Sequence, residues 1–88
     1  MSTPPDELAR LRAVIDDVDD RLLALLAERA RVVDALWAWK AAHGVAQRDP
    51  AREADLRARL ARRAEALGLE PAAVERVFAA IVGHRLAR

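Results

Sequence analysis

Leu8, Leu11, Ile15, Val18, Leu22, Leu25, Val32, Leu36 and Trp39 fall on alternating steps of three and four along the first half of the chain. That spacing lays one apolar stripe along a helix. A charge, Arg29, takes the place on the stripe between Leu25 and Val32. Pro4 and Pro5 close a short leader, and Asp6 and Glu7 put acids where a helix N-terminus favours them. The helix should run to about His43, where Gly44 supplies a stop. Such a helix is about 36 residues, or roughly 54 Å, long. Gly44 to Arg48 reads as a loop. Asp49-Pro50 then supplies the N-cap and first position of a second helix, which ends at Gly68. Glu70-Pro71 opens a third helix, with Val74, Val77, Phe78, Ile81, Val82 and Leu86 on a 3.6-residue stripe.

The pattern predicts an all-α chain of three helices, one of them very long, forming a single domain over residues 1–88. Two short helices cannot cover a seam of roughly 54 Å. The uncovered part should meet a second copy, giving an intertwined helical homodimer with paired first helices.

Composition narrows the chemistry. Of 88 residues, 53% are hydrophobic and 33% charged, and only three are glycine, which suits amphipathic helices better than sheet. With no cysteine, disulfides and thiolate metal sites are excluded. His43 and His84 are too few and too far apart for a metal site. A net charge of +1 offers no field for nucleic acid or a membrane surface. Arg57, Arg59, Arg62 and Arg63 are interleaved with Asp55 and Glu65, as on a solvated helix face. No apolar run approaches the roughly 20 residues needed to span a bilayer, and the N-terminus lacks a signal pattern, so a cytoplasmic protein is expected.

The candidate chemistry lies in the cations. Lys40 is the sole lysine beside fourteen arginines, and it follows Arg29 by eleven positions. On a helix that places it about 20° around from Arg29 and roughly 16 Å further along. A guanidinium left unpaired on a buried seam costs several kcal/mol, so Arg29 should face an anion, either an internal acid such as Glu28 or Glu53 or a ligand. Arg12 lies about 25 Å from Arg29 along the axis and roughly 100° off its face, so only a partner's Arg12 could join it in an antiparallel pair. Arg52 and Glu53 start the second helix on the side of Leu56 and Leu60. Asp49 caps that helix and still has an oxygen to present.

Leu11-Arg12-x-x-Ile15-Asp16-x-Val18-Asp19, Leu22-Leu23-x-Leu25-Leu26-x-Glu28-Arg29, Lys40 and Asp49-x-x-Arg52-Glu53 together resemble the all-helical AroQ-type chorismate mutases. The resemblance covers about Leu8 to Val82. It implies an intertwined dimer with two active sites, each completed by an arginine of the other chain. It also implies the Claisen rearrangement of chorismate to prephenate in aromatic amino-acid biosynthesis, with no cofactor and no metal. Carried over by position, Arg12 reaches one substrate carboxylate across the dimer and Arg29 holds the other. Lys40 donates to the ether oxygen of the breaking bond. Asp49 and Glu53 meet the substrate hydroxyl region with Arg52 supporting that end, and Leu36, Leu56 and Val82 form apolar wall. Isochorismate-pyruvate lyases and aminodeoxychorismate mutases share this scaffold and take similar dianions. A weakly active helical module that binds and regulates a shikimate-pathway enzyme is the alternative of a different class.

Two departures from the better-known members carry expectations. Arg85 stands where those carry a small hydroxyl residue, and the sequence stops at Arg88, before the position of a glutamine that bonds the ether oxygen. Loss of one such donor costs on the order of 10²-fold or more in rate. The short ending Gly83-His84-Arg85-Leu86 is similar to a branch that is completed by binding a 3-deoxyheptulosonate-7-phosphate synthase, and this implies such a partner. Trp37 and Trp39 replace residues that are commonly small in relatives, and they are expected to narrow the pocket or fill the seam.

Overall fold

The computed structural model describes residues 3–83, which form three helices. α1 spans Pro4–Ala42, α2 spans Pro50–Ala66 and α3 spans Pro71–Gly83. Each starts on local chemistry legible in the residues. Thr3 caps α1, its hydroxyl accepting from the Asp6 N–H at 3.3 Å. Pro4 and Pro5 are therefore the first helical residues and not the end of a leader: at a helix start proline loses no hydrogen bond and its fixed φ already suits the helix. Glu7 follows in the first turn and pairs with Arg10 at 2.6 Å, a hydrogen bond that holds its carboxyl below the ordinary carboxylate pKa.

Asp49 caps α2, its Oδ1 accepting from the Arg52 N–H at 3.1 Å. The Glu70 side chain likewise accepts from the Ala72 N–H, at 3.3 Å, where α3 begins. Gly44 and Gly68 have φ of 65° and 74°, the left-handed conformation that closes α1 and α2. Behind them the Val45 N–H returns to the Lys40 carbonyl at 2.9 Å and the Leu69 N–H to the Ala64 carbonyl at 2.8 Å. These returns satisfy carbonyls that a helix end would otherwise leave unpaired.

α2 and α3 pack on each other as a helical hairpin, while α1 packs along neither. At 39 residues α1 is about 58 Å long, which accounts for most of the molecule's 63 Å dimension. The hairpin closes over Ala64, 2% exposed and the one buried residue among those described. Leu56, Leu60, Val74, Phe78 and Ile81 are half-buried around it. Val77 and Val82 of the α3 stripe are exposed, and Leu86 lies outside the described residues.

Ala64 is almost wholly covered, so a larger side chain there must displace its neighbours. Ala64→Leu is expected to wedge them apart and cost about 1–3 kcal/mol. Chemical denaturation of the variant checks this: an unchanged midpoint would mean that the crossing has room to spare.

Among the described residues nothing covers the α1 stripe. Leu8, Leu11, Ile15, Val18, Leu22, Leu25, Val32, Leu36 and Trp39 are all exposed, Ile15 at 57% and Val32 at 64%. Covering the open half of one such side chain is worth about 1 kcal/mol, and most helices owe their stability to the packing of an apolar face. The row is far longer than the scattered exposed apolar residues of an ordinary surface, and a continuous patch of this kind marks an interaction face.

Candidate functional site

α1 ends in a compact turn. The His43 N–H reaches the Trp39 and Lys40 carbonyls, its Nδ1 lies 2.8 Å from the Trp39 carbonyl, and its ring stacks on Trp39 at 4.3 Å between centroids. His43 thus closes the helix. Among the described residues no group of acids and histidines could hold a metal ion, and His84 lies outside them.

The same turn sends the chain back past Lys40, whose Nζ donates to the Gln47 carbonyl at 3.3 Å. Lys40 is partly covered. An ammonium carries three donors, so two remain for another acceptor, and a neutral carbonyl leaves the positive charge uncancelled. Arg29 is also partly covered, and its guanidinium has no acid partner among the described residues, neither Glu28 nor Glu53. The internal salt bridge considered for it is not formed. Arg12 is exposed on the N-terminal half of α1. About 25 Å of helix separates it from Arg29, so the two do not meet within one chain.

The mouth of α2 splits the expected trio. Asp49 gives one oxygen to the cap and stands exposed. Glu53 is partly covered and faces an open groove of about 830 Å³ between α2 and α3, together with Leu56, Leu60, Val74, Phe78 and Val82. Arg52 is exposed and its side chain stays out of that groove, because adjacent helical residues point about 100° apart. Glu53 and Leu56, three apart, share the groove face. Leu36 is exposed on α1, away from the other two expected wall residues, Leu56 and Val82. Arg85 and the tail to Arg88 lie outside the described residues.

The chain therefore brings Lys40, Asp49 and Glu53 to the loop that joins α1 to α2, and leaves Arg29 further along α1 and Arg12 near its far end. Two loop groups complete this arrangement without having been expected. One is the Gln47 carbonyl on Lys40, and the other is Arg48, whose Nη2 lies 3.9 Å from the Glu53 Oε2. A backbone acceptor has no side-chain signature, and Arg48 is one arginine among fourteen. A basic residue just before the Asp49 cap and five before an acid was the available signal for the second. Fixed cations and acceptor carboxylates, with no nucleophile between them, suit binding and orienting a polyanion that carries a hydroxyl.

Residues 11–87 match the family described as chorismate mutase type II. The chain is 42% identical over 72 residues to the T-protein of Enterobacter agglomerans, a match covering 82% of this chain and 19% of that protein. It thus spans about a fifth of the length of that curated relative. No solved structure matches.

Proposed function

The chain belongs to the chorismate mutase type II family, and from that membership we propose that it converts chorismate to prephenate as a homodimer, in aromatic amino-acid biosynthesis in the cytoplasm. The observation that carries this reading is Lys40, an ammonium held at a fixed point by a neutral carbonyl beside the loop that leads to Asp49 and Glu53. Its charge remains available for an oxygen that becomes anionic.

The rearrangement is unimolecular. As the ether C–O bond breaks and a C–C bond forms, negative charge grows on the ether oxygen, with no proton to move and no cofactor required. A protein accelerates it by holding the compact conformer and by placing donors at that oxygen. Lys40 is the donor. Arg29 binds one substrate carboxylate of its own chain's site, and Arg12 of the second copy binds the other. Glu53 and the free Asp49 oxygen accept from the ring hydroxyl, with Arg52 supporting Asp49 through the cap. Leu36, Leu56 and Val82 close the site once two copies assemble.

The exposed α1 stripe supports the dimer, since a second α1 laid antiparallel covers it and carries an Arg12 towards each Arg29. A 3-deoxyheptulosonate-7-phosphate synthase is the proposed partner that raises the mutase to full rate, from the resemblance of Gly83-His84-Arg85-Leu86 to the branch that binds one.

The test is chorismate consumption by the purified chain, followed by loss of ultraviolet absorbance with product identification, alone and with such a synthase added. Prephenate formation is expected, faster with the synthase present. A folded dimer that leaves chorismate untouched in both conditions overturns the mutase reading. Pyruvate from isochorismate, or rearranged aminodeoxychorismate, would reassign the substrate on the same scaffold.

A further inference from the structure

The loop between α1 and α2 touches both polar partners that the proposed reaction needs near the substrate's ether and hydroxyl. The Gln47 carbonyl takes one donor of Lys40 at 3.3 Å, and the next residue, Arg48, stands 3.9 Å from Glu53. Gln47 and Arg48 are adjacent, so the ammonium at the end of α1 and the carboxylate in the first turn of α2 both meet the same short stretch of loop. Both ends of that stretch are pinned. Gly44 at φ 65° and the Val45–Lys40 hydrogen bond anchor it to α1, and the Asp49 cap anchors it to α2.

Within this arrangement Arg48 differs from the neighbouring arginines. Arg52 also stands at the start of α2 and has no acid partner among the described residues, whereas Arg48 lines the groove that Glu53 faces. Its side chain is 85% exposed and that of Glu53 41%, so the pair stabilises the free chain little. The nearest approach is to Oε2 at 3.9 Å, an ion pair without a hydrogen bond, so the Glu53 carboxylate keeps its capacity to accept from a ligand hydroxyl. A cation at this distance favours carboxylate orientations that keep an oxygen towards it.

We propose that Arg48 is a positioning residue, which acts through Glu53 to orient the carboxylate towards the substrate's ring hydroxyl while the adjoining Gln47 carbonyl holds Lys40. This rests on the mutase reading above. Arg48 itself touches no reacting atom. Its contribution is made in binding the hydroxyl, in the ground state and the transition state alike, and therefore appears in KM more than in kcat.

The test is a double-mutant cycle on the full chain with chorismate. Arg48→Ala is expected to raise KM about fivefold with kcat nearly unchanged, and Arg48→Lys to recover most of that loss, because lysine keeps the charge. In a Glu53→Gln background, Arg48→Ala should change nothing further, since the group it orients no longer carries charge. Circular dichroism should stay the same throughout, as expected for an exposed side chain. An Arg48→Ala effect of equal size with and without Glu53, or no effect in the otherwise unaltered chain, overturns the proposal. An unaltered chain that does not turn over chorismate under any condition overturns the mutase reading instead, so the two failures are distinct.

Discussion

Lys40→Ala is expected to lower kcat by about 10²- to 10³-fold, the scale on which removing one preorganised donor to a developing oxyanion acts. KM should move far less. The ether oxygen of bound chorismate carries little charge, so an ammonium beside it stabilises the transition state much more than the ground state. The protein should remain folded, since Lys40 sits in the last turn of α1 and, among the described residues, its side chain bonds only the Gln47 carbonyl. Removing a cation from a helix C-terminus costs about 0.3–1 kcal/mol. Lys40→Arg should recover little activity, because a planar guanidinium cannot present a compact charge at the same point. Steady-state kinetics beside circular dichroism decide the matter. Loss of less than tenfold in kcat would remove Lys40 from the catalytic role, and loss of the helical signal would make it a structural residue.

Mixing two inactive variants should restore activity. Arg12→Ala and Arg29→Ala are each expected to lose about 10²-fold in kcat/KM, since each removes one of the proposed charge-assisted contacts to a substrate carboxylate. In the proposed dimer each site takes Arg29 from one copy and Arg12 from the other. A mixed dimer therefore has one site with both arginines and one with neither. Equal amounts that exchange freely give half mixed dimers, so about a quarter of the activity of the unaltered protein should return. Native mass spectrometry verifies that mixed dimers form. If they form and activity stays at the level of the single variants, the two arginines do not share a site across the interface. A chain that sediments as a monomer at micromolar concentration excludes the arrangement altogether.

Most helix boundaries were legible because they are set locally. Asp49-Pro50, Glu70-Pro71, Gly44 and Gly68 act within one turn of themselves, through a capping oxygen, a fixed φ or a permitted positive φ. The start of α1 was misread for the same kind of reason. Pro4 and Pro5 are compatible with both a leader and a first turn, and it is the Thr3 hydroxyl on the Asp6 N–H that selects the turn. Of the candidate site, Lys40 lies at one end of the loop between α1 and α2, and Asp49 and Glu53 lie at the other. Arg52 was grouped with Glu53 by adjacency in the chain, and the 100° step of the helix separates them.

Helix positions, the apolar stripe with its single charge, and the family signature are thus properties of neighbouring residues and their periodicity, which a linear string records completely. Which groups meet at the loop is of another kind. That Lys40 finds a backbone carbonyl, and that among the described residues Arg29 meets no acid, α2 and α3 close on Ala64 and nothing covers the α1 stripe, all depend on how the chain turns at Gly44 and Gly68. Small changes at a turn swing whole helices, and no periodicity in the residues encodes the resulting direction. Distances between groups on different helices therefore belong to the folded chain.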